Sequence, residues 1–154
     1  MCGEGCLLMS YPLLGRECPL DNGSAVTQPV HKEWPETKPE EGARRGNFDL
    51  AILAPDTLCT ASLEQFRKGY IETPIVVEMG LDYGLAHLAQ DAEKLLNSGV
   101  RRGYLVHFTR LGHDNRVEEY IRSLTTDGRV MVAYASVGPQ GVRLKQLDDP
   151  AISS

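Results

Sequence analysis

Two carboxylates interrupt apolar runs that a charge ordinarily avoids. Asp49 stands in Asn47-Phe48-Asp49-Leu50-Ala51-Ile52-Leu53-Ala54, and Glu78 in Thr73-Pro74-Ile75-Val76-Val77-Glu78-Met79-Gly80. Burying a lone charge is costly unless it is paired or bound to a metal. If the two runs pair as neighbouring strands, both carboxylates meet at one edge of a sheet. Two hard oxygen donors placed that way suit Mg²⁺ or Mn²⁺, and Mg²⁺ keeps several waters and takes phosphate oxygens as further ligands. A metal so held activates a water and stabilises phosphodiester cleavage.

Simpler roles are available to several of these groups. Asp49 can pair with Arg44 or Arg45, or accept backbone N–H bonds in a turn. Glu78 is harder to dismiss, because a carboxylate following three aliphatic residues needs a partner. His31, His87, His107 and His113 have no metal-ligand spacing and read as surface or satisfied core histidines. Gln90 and Asp91 read as the solvated face of a helix. Arg101, Arg102 and Arg110 flank one strand and can touch phosphates, although basic loops also serve solubility. Trp34, before Pro35, reads as a core anchor. Cys2, Cys6, Cys18 and Cys59 lack the paired spacing of a structural zinc site and read as free or packed thiols.

The elements that must position these groups follow from periodicity. Residues 1–28 are poor in it and read as an irregular N-terminal segment. A strand is predicted over Thr27–Trp34 and a second over Asn47–Ala54, where Asp49, Ala51 and Leu53 share one face. A short helix over 60–70 carries Leu63, Phe66 and Tyr70. A third, buried strand ends at Glu78. The helix after it has apolar residues at 85, 88, 89, 92, 95 and 96, and Asn97-Ser98-Gly99 stops it. A strand over Gly103–Thr109, a helix capped by Asp114 or Asn115, a strand over Arg129–Ala135 and an edge strand over Val142–Leu147 complete the order. The leading strands suit a meander, and each later helix can cross over to a parallel neighbour. The expected organisation is one α/β domain over 29–147 with a mixed central sheet flanked by helices, then a tail over 148–154.

Phe48-Asp49-Leu50-Ala51-Ile52 and Val76-Val77-Glu78-Met79-Gly80, followed by a helix, resemble the PD-(D/E)xK, or restriction-endonuclease-like, superfamily. Val30-His31-Lys32-Glu33-Trp34-Pro35, the Arg44-Arg45 pair, and His87 with Asp91 resemble an uncharacterised branch of it. The likeness spans roughly residues 28–137. It implies a restriction-endonuclease-like core and an Mg²⁺- or Mn²⁺-dependent nuclease. Asp49 and Glu78 would be metal ligands, the Met79 carbonyl a third oxygen and Glu33 an accessory acid. The departure is Gly80, which stands where the family carries a lysine. Alternation puts residue 80 on Glu78's face, so glycine leaves a gap where the ammonium should be. Lys94 and Lys32 are the alternatives nearby, but a position three turns into the helix is expected to carry Lys94 away from the site. The competing class is an inactive module on the same fold that binds nucleic acid or protein.

Composition bounds the rest. The chain has 154 residues, a formal net charge of -5 and 42% hydrophobic residues. That length and apolar fraction suit one domain with a real core. The acidic balance argues against a protein coated in nucleic-acid-binding charge but leaves room for a local groove that takes DNA or RNA. No run is long and apolar enough to span a membrane, and the N-terminus lacks the pattern of a secretory signal. The expectation is a cytoplasmic protein without a membrane partner, for which a homodimer is open. No glycine-rich phosphate loop, nucleophile elbow or Cys–His pair is present in a recognisable context.

Overall fold

A computed structural model describes residues 15–36, 46–110, 112, 114–124, 128–139 and 141–146. The chain divides into two compact units, Met1–Pro74 and Ile75–Ser154.

The N-terminal unit begins inside the segment read as irregular. β1 (Cys18–Leu20) pairs antiparallel with β2 (Ala25–Thr27). The turn between them holds Asp21, Asn22 and Gly23 at positive φ, a conformation open to Asn, Asp and Gly. Three-residue strands are too short to leave a periodic signal, which is why periodicity missed them. β3 (Val30–Pro35) and β4 (Asn47–Ile52) form a second antiparallel pair, with His31 opposite Ala51 and Trp34 opposite Phe48. Pro55 starts a one-turn helix, α1 (Pro55–Leu58), where only a strand end was expected.

α2 (Leu63–Lys68) is shorter than the predicted helix, and its limits have clear causes. The Gln65 amide donates to Ser62 Oγ at 3.2 Å, and the Ser62 amide donates to Gln65 Oε1 at 2.9 Å. This reciprocal capping box fixes the start. Gly69, at φ 72, ends it in the left-handed conformation. Tyr70 therefore falls outside the helix and is exposed. Trp34 is a core residue, as expected, packed against the rings of His31 and Phe66.

The C-terminal unit alternates strand and helix: β5 (Ile75–Leu81), α3 (Leu85–Asn97), β6 (Arg102–Thr109), α4 (Asn115–Ser123), β7 (Val130–Gly138) and β8 (Gly141–Gln146). Its strands lie in the order β5-β6-β7-β8. β5, β6 and β7 are parallel, and β8 returns antiparallel through a tight turn. The expected crossovers are thus present, and the chain is α/β with a mixed sheet flanked by helices. Two successive right-handed crossovers in one direction put α3 and α4 on the same face. Burial agrees: Val76, Glu78 and Gly80 are covered, whereas Met79 and Leu81, on the alternate face of β5, are exposed. α3 seals the covered face with Leu88, Ala92 and Leu95, and α4 with Val117 and Ile121. Among the described residues no helix is long and apolar enough to cross a membrane.

Candidate active site

β5 does not end at Glu78. It continues through Met79, Gly80 and Leu81, so Glu78 is the middle residue of seven. The cause is register: Glu78, Met79, Gly80 and Leu81 pair in turn with Leu105, Val106, His107 and Phe108 of β6. Glu78 is 2% exposed. A carboxylate that deep needs a compensating charge, and it has one: Lys94 Nζ lies 2.6 Å from Glu78 Oε1.

This overturns the expectation that Lys94 points away. A crossover helix runs antiparallel to the strand it follows. Each helical residue advances about 1.5 Å against about 3.3 Å for a strand residue. Nine residues into α3, Lys94 has therefore travelled roughly 14 Å back over β5 and stands above its centre. Its side chain is 20% exposed, so it joins a buried acid to the protein surface.

The gap expected at residue 80 is filled as well. A Cβ built on Gly80 would lie 2.7 Å from His107 Nδ1 and 3.1 Å from Tyr83 Cδ2. Glycine is there because the imidazole of the neighbouring strand occupies the space of a side chain. His107 is 2% exposed, and its Nδ1 has no hydrogen-bond partner among the described residues. It is therefore buried but not the satisfied core histidine expected. Burial pushes its pKa down, against the opposing pull of Asp82 and Asp91, which favours the neutral ring. Asp91, read as solvated, is only 8% exposed and faces His87, with 3.6 Å between Oδ2 and Nε2.

Beyond Gly80 the chain turns through Asp82, at φ 57. Its carboxylate accepts from the Arg110 amide at 2.6 Å and from Arg110 Nε at 2.7 Å. These bonds, the backbone amide first, hold Asp82 below the usual carboxylate range. The clamp ties together the C-terminal ends of β5 and β6, which is where open α/β sheets place ligands. A cavity of about 480 Å³ opens there, with His107, Tyr83, Tyr134 and Thr109 in its wall. Asp114 caps α4 beside it, as predicted, and its own amide donates to Tyr134 Oη at 3.0 Å.

The other predicted acids belong to the N-terminal unit. Lys32 pairs with Leu50 and Trp34 with Phe48, so Glu33 falls opposite Asp49 on the adjacent strand. Glu33 has φ 53, a left-handed conformation uncommon for a residue with a long side chain. It breaks the alternation of β3, which is how His31 and Trp34, three residues apart, come to touch on one face. Asp49 is half-buried. Arg44 and Arg45, its suggested partners, lie outside the described residues, as do Cys2, Cys6 and His113. Cys18 and Cys59 are free thiols. Among the described residues no group of three His, Cys, Asp or Glu side chains is placed to hold a metal.

Lys94, His107 and Asp82 are the residues that sequence reasoning undervalued. Crossover geometry would have found Lys94, and the shared register of Gly80 and His107 follows from pairing β5 with β6. Nothing in the local sequence marks Asp82. Comparisons with protein-family models, with curated proteins and with solved structures each find no match to the chain.

Proposed function

We propose that the chain is a metal-dependent phosphodiesterase acting on nucleic acid, with a restriction-endonuclease-like core, in which Lys94 supplies the ammonium that Gly80 lacks. The observation that carries this reading is the contact of 2.6 Å between Lys94 Nζ and the buried Glu78 carboxylate. A buried ion pair rarely stabilises a fold more than apolar residues of the same volume do. A pair at the centre of a sheet therefore leaves room for a chemical role beside packing. In this reading the acid and the lysine, brought together from a strand and the next helix, would stand for the functional pair of the superfamily motif, with the lysine displaced from strand to helix.

The ion in this reading would be a hydrated one rather than a caged one. Mg²⁺ is commonly held by one or two carboxylates and keeps several waters, which is compatible with the absence of a three-residue cluster among the described residues. Glu78 would be its ligand in the C-terminal unit. Asp49, the Met79 carbonyl and accessory Glu33 are carried over from the resemblance alone. When bound, the ion supplies Lewis-acid stabilisation of the phosphate. Lys94 pairs with Glu78 and would place a donor where negative charge develops. Such preorganised donors are worth about two to three orders of magnitude in rate.

The second reading, an inactive module that binds nucleic acid or protein, draws on the same contact. An acid already neutralised by lysine needs no metal. The two are separated by assaying labelled single- and double-stranded DNA and RNA with Mg²⁺, with Mn²⁺ and with EDTA. Metal-dependent cleavage by the wild type, lost in folded Glu78→Gln, supports the phosphodiesterase. Binding without cleavage by any folded form supports the module.

A further inference from the structure

The cavity at the C-terminal ends of β5 and β6 has walls that the hydrolytic step does not use. We infer that it receives an unpaired nucleobase of the substrate strand, which would make the preferred substrate single-stranded. This rests on the nucleic-acid reading above and names the form of the substrate.

Its volume, about 480 Å³, falls within the span of small-ligand sites, roughly 300–1,000 Å³. Tyr83, His107 and Tyr134 contribute rings to its lining, of which Tyr83 is the exposed one. The His107 and Tyr134 rings lie 5.8 Å apart, tilted by 32°. Tyr83 is 45% exposed, with its ring 4.1 Å from that of His87. Aromatic and histidine rings of this kind take up unstacked bases. The polar groups suit a base better than a bare anion. Asp82 and Asp114 both line the cavity and present carboxylate acceptors to it. Each holds an exposed arginine, Arg110 and Arg116, at its own edge. A planar heterocycle bearing N–H groups meets the acids as acceptors and leaves its backbone phosphate to the arginines.

The second, independent observation is His107. Its ring is buried, lines the cavity, and carries a nitrogen with no hydrogen-bond partner among the described residues. Nδ1 itself lies against Gly80, so what the ring offers a base from the cavity is its edge and face, not that nitrogen. The site also lies at a useful distance. His107 is level with Gly80, two residues along β5 from Glu78, which is roughly 6.5 Å at the rise of a strand. A base held here would fix the strand beside the proposed reaction centre. In a paired duplex the base is stacked and cannot enter without being flipped out.

The experiment measures binding by the full chain in EDTA, where no cleavage occurs. Fluorescence anisotropy compares a labelled oligothymidine with a blunt hairpin duplex, for wild type and Tyr83→Ala. The wild type is expected to prefer the single strand, and Tyr83→Ala to weaken it by roughly 5- to 150-fold, the range for loss of one stacked base. Because Tyr83 is half-exposed, its removal leaves the core intact. A second readout follows the His107 ring nitrogens by NMR as oligothymidine is added, and they are expected to shift. Preference for the duplex, undiminished affinity in Tyr83→Ala, or unmoved His107 resonances would overturn the inference. Absence of Mg²⁺-dependent cleavage bears only on the phosphodiesterase reading, because the binding assay contains no metal.

Discussion

Replacing Gly80 with alanine tests how the candidate site is packed. The new methyl carbon would sit 2.7 Å from His107 Nδ1 and 3.1 Å from Tyr83 Cδ2. The first approach is closer than real Cβ contacts come, so the imidazole must move. It has little room, being 2% exposed and level with Tyr134 on its other side. Overpacking of this kind costs about 1–3 kcal/mol. Alanine recovers about 0.4–1 kcal/mol by restricting the unfolded chain. The midpoints of these ranges leave a loss of about 1.3 kcal/mol, or roughly 3–5 °C in Tm for a chain of this size. Urea and thermal unfolding of wild type, Gly80→Ala, His107→Ala and the double variant measure it. The double variant should be less destabilised than the sum of the singles, because the truncated histidine leaves room for the methyl. Lysine at 80 carries the same Cβ and should also destabilise. Unchanged or increased stability in Gly80→Ala would refute the placement of His107 against Gly80.

Three further outcomes follow from the same contacts. Lys94→Met should destabilise by about 3–5 kcal/mol in urea unfolding, because it strands the buried Glu78 charge, while Lys94→Met with Glu78→Gln should recover much of that loss. Burial lowers the pKa of His107 and His31. The unfolded chain then binds protons that the native chain does not, so stability falls as pH drops below about 6.5; the slope of Tm against pH below that point should shrink in His107→Gln. Millimolar Mg²⁺ or Mn²⁺ should raise Tm by mass action, and calorimetric scans of Glu78→Ala should show no such rise.

The sequence was most readable where one physical signal acted alone. The stripe of α3 and its Asn97-Ser98-Gly99 stop match the helix Leu85–Asn97 closely. The parallel run of β5, β6 and β7 follows from alternating strand and helix patterns. Legibility failed where position depends on a neighbouring element. Glu78 looked like a strand terminus because Met79 and Gly80 carry little β signal, yet hydrogen bonding to β6 extends the strand to Leu81. Asp91 looked solvated because acids usually are, but it lies on the side of α3 that turns toward His107. Glu33 broke the alternation of β3 through a backbone angle that no pattern of side chains announces. Of the candidate site itself, Glu78 was marked by its apolar surroundings. The lysine and the histidine were not, because crossover length and strand register bring them in.

The most direct test of the central claim is the single-turnover cleavage rate of a labelled oligonucleotide in Mg²⁺, measured for wild type and for Lys94→Met with its fold verified by circular dichroism. A lysine that completes the Glu78 centre predicts cleavage by the wild type that EDTA abolishes, and a loss of about two to three orders of magnitude in Lys94→Met. Equal rates in the two proteins, or no metal-dependent cleavage by the wild type, would contradict it.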